Sequence, residues 1–313
     1  MTADSGAYAA SVLIATRDRS ESLARTLASL AEQKLPRDAW ELIIVDNGSR
    51  DATAQVLADW KGALPLRVLT EPRPGKSRAL NAALPAARGA LVAFTDDDVL
   101  VSPGWLADLL EASRRWPEAS IFGGPIEPVF PDPTPAWIRS PDFVLASEAF
   151  GRWPAAAEGL GERLPYGANM ALRDRLVARH RFDESIGPDG AASYAQGSEY
   201  ELLRRLRDAG ERAAHVPSAG VRHVILPHQI ERAWLLARAE RVGRGSARIK
   251  RKRVPRSALG WPPLLLRLLA ATWRARHARR LADPARFELE RRAHHWRGYV
   301  AESRRLRRER RAR

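Results

Sequence analysis

Ser11-Val12-Leu13-Ile14-Ala15 and Leu42-Ile43-Ile44-Val45 decide the fold. Both runs are short, rich in β-branched residues and closed by polar ones, as strands buried on both faces of a parallel sheet are. Between them Leu23, Leu27, Leu30 and Ala31 recur at spacings of three and four, which predicts a helix over 20–33 with Ser20 as its N-cap. The unit is β-α-β. Outward from it the pattern continues with a helix near 53–60, a strand near 66–69, a helix over 77–87 and a strand over 91–95. The expected fold class is therefore α/β, a Rossmann-like, mostly parallel sheet with helices on both faces. In such sheets ligands gather at the carboxyl ends of the strands, which is where Thr16, Asp46 and Asp96-Asp97-Asp98 fall.

Beyond this half the reading is less regular. Residues 130–165 are rich in Pro and Trp, with Pro131, Pro133, Pro135 and Pro141 predicting a loop or lid without a long helix. A last helix of this region is expected over about 196–209, ended by Gly210, with Leu202, Leu203 and Leu206 inward. There is no internal repeat.

The chain has 313 residues, 45% of them hydrophobic, and no cysteine. It is long enough for one large domain, or an ordinary domain with an appendage. Without thiolates, any metal must sit on oxygen or imidazole, which favours Mg²⁺ or Mn²⁺. The first ten residues lack the basic start and apolar run of a secretion signal, so a cytoplasmic location is expected.

The net charge of +15 is unevenly placed. Residues 229–313 hold 26 of the 52 Lys and Arg but only 7 of the 37 Asp and Glu, which leaves residues 1–228 slightly acidic. Two domains are expected on this division: 1–228, and a basic helical C-terminal extension over 229–313.

Three adjacent carboxylates, Asp96, Asp97 and Asp98, repel one another at the end of an apolar strand, and a divalent cation would neutralise them. Such a cation bridges phosphates and stabilises a departing diphosphate. The alternative is an acidic turn, or an N-cap for a helix beginning near Pro103. Asp46 likewise either accepts hydrogen bonds from a nucleobase or ribose, or belongs to a turn built on Asn47-Gly48, with Asp51 capping the next helix. Thr16-Arg17-Asp18-Arg19 follows the first strand, and Gly75-Lys76-Ser77 opens a helix, where a glycine and cations suit a diphosphate.

These stretches, Ile14-Ala15-Thr16-Arg17-Asp18-Arg19, Val45-Asp46-Asn47-Gly48-Ser49, Asp96-Asp97-Asp98 and Gly167-Ala168-Asn169, stand in an order that resembles family 2 glycosyltransferases of the GT-A fold. The resemblance covers about residues 9–225 and not the extension. It implies an inverting transferase that uses a divalent metal and a UDP- or GDP-sugar, in cell-surface polysaccharide or glycolipid synthesis. It places Thr16, Arg19, Asp46, Lys76, Asp96 and Asp97 on the donor, Asp98 on the metal, and Gly167 and Asn169 beside the donor sugar and acceptor. For Asn169 the alternative is a Gly-Asn turn before a strand.

The family's general base is an acid in a Glu-Asp-x-Glu-Leu stretch, matched here by Ser198-Glu199-Tyr200-Glu201-Leu202. Ser198 departs from that pattern, and Glu199 replaces Asp with one methylene more. Glu199 is the candidate base, a first-turn acid complementing the helix dipole being its alternative. His223, in Val221-Arg222-His223-Val224, is a candidate ligand for metal or diphosphate, or else a structural histidine. A sugar nucleotidyltransferase would carry a Gly-rich loop after the first strand, which is missing here. A basic binding or scaffold protein with a decayed sugar-nucleotide site is the non-enzymatic alternative, because the Ser198-Glu199 departure touches the catalytic position.

In the extension, Leu265, Leu268, Leu269, Thr272 and Trp273 lie along one side of a helix expected over 262–275, with Arg267 and Arg274 opposite. It is too short to span a bilayer, and basic clusters at 250–253 and 304–313 bracket it. Contact with an anionic membrane surface at the inner face of the plasma membrane is expected, or else packing on the core. Nucleic acid is a poor partner, because no recognisable nucleic-acid module is present and the rest of the chain is acidic.

Overall fold

The computed structural model describes residues 8–140, 143, 149–251, 261–278, 281–283 and 285–312. Pro141, Lys252, Arg253, Arg313 and the first seven residues, named in the expectations above, lie outside them. The chain forms two compact units. One, the sheet unit, comprises residues 1–129, 151–184 and 199–224; the other, the helical unit, comprises 130–150, 185–198 and 225–313. The extension beyond 228 thus shares its unit with two earlier stretches.

In the sheet unit, β1 (Tyr8–Thr16), β2 (Trp40–Asp46), β3 (Leu66–Thr70) and β4 (Gly89–Phe94) are parallel neighbours in the order β3-β2-β1-β4. β5 (Val99–Val101) follows the aspartates. The eight-stranded sheet is completed, beyond β4, by β9 (Met170–Arg173), β6 (Ala119–Gly123), β10 (Arg212–His215) and β8 (Gly159–Gly161), with β9 antiparallel to both neighbours. The fold is α/β and mostly parallel, as the alternation of strands and helices predicts.

Strand side chains alternate between two faces, and each face acquires its own core. Val12, Ile14, Leu42 and Ile44 pack with Leu23, Leu27 and Leu30 of the helix Ser20–Ala31 and with Trp105 and Leu109 of Trp105–Arg115. On the other face Leu13, Ile43, Val45 and Phe94 meet Ala79, Leu80 and Ala83 of Lys76–Ala83 and Leu202, Leu203 and Leu206 of Ser198–Asp208. Helices cover both faces.

Two local expectations are corrected. Ser20 is the first helical residue rather than the N-cap; its backbone N–H donates to Asp51 Oδ2 at 2.9 Å, so the cap is supplied from another loop. The aspartate triplet does not cap the helix near Pro103, because β5 intervenes and that helix begins at Trp105.

A second, three-stranded sheet orders β5, β11 (Val221–Val224) and β7 (Ile126–Val129), pairing His223 with Val99. The backbone N–H of Val224 donates to the Asp98 carbonyl at 2.9 Å. This small sheet is what carries residue 223 to the aspartates.

In the helical unit, Arg232–Arg251 packs on Ala285–Arg311 with backbone nearly touching backbone. A Cβ on Gly243 would lie 2.0 Å from the His295 carbonyl oxygen, and one on Gly298 2.0 Å from that of Glu240. Trp137 packs 5.1 Å from Phe143 and 5.0 Å from Phe287, so aromatic residues from the proline-rich stretch are core anchors here. A minority of the extension's positive charges are paired internally among the described residues: buried Glu302 receives Arg248 at 2.7 Å and Arg305 at 2.6 Å, while Arg232 meets Glu290 at 2.8 Å and Asp283 at 2.9 Å. Among the described residues, no helix is long and apolar enough to cross a membrane.

Candidate active site

The parallel register places Thr16 beside Asp46 at the carboxyl ends of β1 and β2, and Asp96 two residues beyond the end of adjacent β4. Thr16 Oγ1 donates to Asp97 Oδ2 at 2.7 Å, tying the first strand end to the triplet. Arg19 Nη1 reaches Asp98 Oδ2 at 2.6 Å and Asp97 Oδ1 at 3.5 Å. Lys76 Nζ lies 2.5 Å from Asp96 Oδ1 and 2.7 Å from Glu199 Oε1. Two cations therefore stand among four carboxylates.

Burial pushes the Asp97 carboxyl well above its usual range; Arg19 opposes this and Asp98 adds to it. Burial acts on Asp98 in the same sense, but the His223 imidazole and the Arg19 guanidinium outweigh it and hold Asp98 well below the usual range. Lys76, pushed down by burial, is carried above its ordinary value by Asp96 and Glu199.

Asp98 Oδ1 is buried and has no hydrogen-bond partner among the described residues, with His223 Nε2 3.4 Å away. A buried carboxylate oxygen left unsatisfied beside an imidazole suits a hard cation. Among the described residues, however, no group of three or more His, Asp and Glu side chains converges as a complete metal cage.

Glu199 sits in the first turn of Ser198–Asp208, directly against Gly167, the first residue of the 3₁₀ turn Gly167–Asn169. A Cβ at 167 would lie 2.4 Å from Glu199 Cγ, so the space for the candidate base exists only because residue 167 has no side chain. Asp46 Oδ1 accepts from the Ser49 backbone N–H at 2.9 Å, which forms the expected turn and leaves the second carboxylate oxygen outside it.

Asn169 is placed differently from its neighbours. It is fully buried, its Oδ1 accepts from Trp105 Nε1 at 2.8 Å, and its Nδ2 donates to the carbonyls of Ala219 at 2.8 Å and Pro125 at 3.1 Å. With both ends of the carboxamide committed inside the protein, the side chain braces the loop rather than facing a sugar. The expected contact of Asn169 with donor or acceptor is corrected to this positioning role.

Two residues join the site neighbourhood beyond those expected to act in it. Glu71 comes directly after β3, much as Asp46 ends β2, is buried, and accepts from Arg73 Nε at 3.0 Å and Nη2 at 2.9 Å. The strand-end rule that points to Asp46 and Asp96 applies to it equally. Asn47 Nδ2 donates to the carbonyls of Glu71 at 2.7 Å and Arg73 at 2.8 Å, while its Oδ1 accepts from Gly75 N–H at 2.7 Å, so one side chain shapes the approach to Lys76. No local pattern foretells those partners.

A parallel sheet with acids at three strand ends, and a further carboxylate brought to them by a cation, defines a GT-A glycosyltransferase architecture. The model of glycosyl transferase family 2 matches residues 11–169, and the chain belongs to that family. It is 30% identical over 237 residues to the succinoglycan biosynthesis protein ExoM of Rhizobium meliloti, covering 74% of this chain and 72% of that one. Glycosyltransferase AglE of Haloferax volcanii is 25% identical over 202 residues, 64% of this chain and 62% of its own. Among solved structures, the mannosyltransferase PcManGT of Pyrobaculum calidifontis, in complex with GDP-Man and Mn²⁺, superposes with a TM-score of 0.61 at 21% identity, over 94% of this chain and 86% of that one. TarS of S. aureus with UDP gives 0.53 at 16% identity, over 96% and 91%. Family membership sets the nucleotidyltransferase reading aside.

Proposed function

We propose that the chain is an inverting, metal-dependent transferase that moves a sugar from a UDP- or GDP-sugar to an acceptor hydroxyl. The observation that carries this reading is the ion-pair chain Glu199–Lys76–Asp96, with contacts of 2.7 and 2.5 Å. It sets a candidate base and the strand-end carboxylates on either side of one ammonium. Glu199 takes the acceptor hydroxyl's proton as that oxygen attacks the anomeric carbon, and the diphosphate leaves from the opposite face. One base and one displacement give inversion, with no covalent intermediate.

Thr16 and Asp46 hold the nucleoside in this reading, while Arg19, Lys76, Asp96 and Asp97 serve the sugar-nucleotide and its diphosphate. Asp98, with its unsatisfied Oδ1, and His223 would hold Mg²⁺ or Mn²⁺. Mg²⁺ is ordinarily bound through one or two carboxylates plus substrate phosphates rather than by an all-protein cage, so two protein ligands suffice. Once bound, the cation supplies positive charge to the departing diphosphate. The mannosyltransferase neighbour, solved with GDP-Man and Mn²⁺, supports both the cofactor and the donor class.

The likeness to a succinoglycan biosynthesis protein supports a polysaccharide or lipid-linked acceptor. We assign catalysis to the domain over 1–228 and contact with the cytoplasmic face of the plasma membrane to the extension over 229–313.

The test is the anomeric configuration of the product formed from an α-linked donor, followed by NMR, with Glu199→Gln in parallel. Inversion is expected, with kcat reduced about 10²- to 10⁴-fold in the variant and nucleotide affinity kept. Retention, or a variant as active as the parent, contradicts the reading. Donor binding without turnover when acceptor is present would favour the decayed binding protein.

A further inference from the structure

The helix Trp261–His277 contains Arg267, Arg274 and Arg276 and no acidic residue. Of its described side chains, Leu268, Ala271, Thr272 and Ala275 are half-buried. At 100° per residue these four share one side, the side packed on Ala285–Arg311. The remaining arc carries Leu265, Leu266, Leu269 and Trp273, the last three 64%, 57% and 62% exposed. The amphipathic stripe expected from the sequence is thereby split: Leu268 and Thr272 turn inward, and a second apolar face looks outward.

Large apolar side chains grouped on one exposed face are uncommon on a soluble surface and mark a contact site. Leu281, just past the helix, is 48% exposed and extends the apolar surface in sequence. The chemistry of the occupant follows from the charges. Arg274 and Arg276 are exposed and have no acidic partner among the described residues, unlike Arg232, Arg248 and Arg305 of the same unit, whereas the Arg267 guanidinium stacks 5.4 Å from the Trp296 ring centroid. Around the helical wheel, Arg267 lies next to the packed side, Arg274 stands between that side and the apolar arc, and Arg276 falls inside the arc near the C-terminal end. A 17-residue helix with an arginine near its middle is too short and too polar to cross a bilayer. A helix lying in the plane of an anionic interface buries the leucines and the indole below the head groups and leaves each guanidinium at phosphate depth.

We propose that this helix is an in-plane anchor for an anionic lipid surface, with Leu266, Leu269 and Trp273 as the inserting side chains and Arg274 and Arg276 as the head-group contacts. The inference rests on the membrane assignment in the proposed function, and it narrows that assignment from an extension of net positive charge to one helix face.

The experiment is sedimentation of the full-length protein with sucrose-loaded vesicles, either pure phosphatidylcholine or phosphatidylcholine with phosphatidylglycerol. The parent is compared with Leu269→Gln/Trp273→Gln and with Arg274→Gln/Arg276→Gln. All substituted side chains are exposed and glutamine keeps the helix, so circular dichroism and melting should match the parent. The parent is expected to sediment with the anionic vesicles and not with phosphatidylcholine alone. The apolar variant should lose about 100-fold in partitioning, roughly tenfold for each side chain, and the arginine variant should lose its lipid selectivity. The proposal is overturned if the parent ignores anionic vesicles, or if both variants bind as the parent does. It is overturned equally if the apolar variant merely converts a dimer to a monomer with vesicle binding unchanged, which would make the face a self-interface. Sugar transfer to a water-soluble acceptor, assayed separately, reports on the catalytic reading whichever way the vesicles answer.

Discussion

Gly167→Ala tests the geometry of the candidate base with the smallest possible change. No positive φ is required at residue 167, so alanine is admissible in the backbone. Its Cβ, however, would lie 2.4 Å from Glu199 Cγ, 2.7 Å from Cδ and 2.8 Å from Oε1. Ordinary carbon contacts begin near 3.5 Å, so the Glu199 side chain must retreat by about 1 Å. Because the obstructed atoms belong to a flexible side chain, the retreat costs little stability. It does break the 2.7 Å contact with Lys76 and withdraw the carboxylate from the position assigned to it. A displacement of about 1 Å at a reacting group lowers rates on the order of 10²-fold. Steady-state transfer, nucleotide titration and melting on the same preparation separate the effects: kcat should fall about 10²-fold while nucleotide affinity and melting temperature stay close to those of the parent. Transfer within about twofold of the parent would refute the placement of the base.

Asn169→Ala should act through stability instead. It strands Trp105 Nε1, the buried Ala219 carbonyl and the partly buried Pro125 carbonyl, and about 3 kcal/mol should be lost in urea unfolding; a loss of activity with unchanged stability would argue for sugar contact after all. In the helical unit, burial, together with Arg291 and Lys250, pushes the His295 imidazole down to about 4 from 6.5. As pH falls, the unfolded chain therefore takes up the proton first, so this stability is whole above about 6.5 and is lost as pH falls from there to 4. Between pH 7 and pH 5 the loss is about 2 kcal/mol, and His295→Gln should remove that component from the pH dependence of urea unfolding. Equal losses in parent and variant would disprove it.

Periodicity alone located β1 to β4 and their helices, because each is a short element whose burial pattern is written in its own residues. The strand-end rule likewise led to Thr16, Asp46 and Asp96. Contacts made by folding distant segments together were not legible. Nothing near His223 in sequence announces that a three-stranded sheet carries it to within 3.4 Å of Asp98. Nor does the triplet reveal that Arg19 and Lys76 meet its charge, since a run of acids reads the same whether a side chain or an ion neutralises it. Asn169 fitted a motif, but a motif does not distinguish a carboxamide facing ligand from one spent on Trp105. In the extension, the count of charges does not show which arginines are paired; the fold sets Glu288, Glu290 and Glu302 against several of them.

The proposed function requires the strand-end aspartates to form a cation-dependent sugar-nucleotide site. Calorimetric titration of UDP and GDP into the protein, with and without Mn²⁺, tests it most directly when the parent is compared with Asp98→Ala of matched melting behaviour. Such a site requires that one nucleotide bind the parent only when Mn²⁺ is present, and that the variant lose this binding. The proposed function is contradicted if neither nucleotide binds, or if Asp98→Ala binds with the Mn²⁺ dependence of the parent.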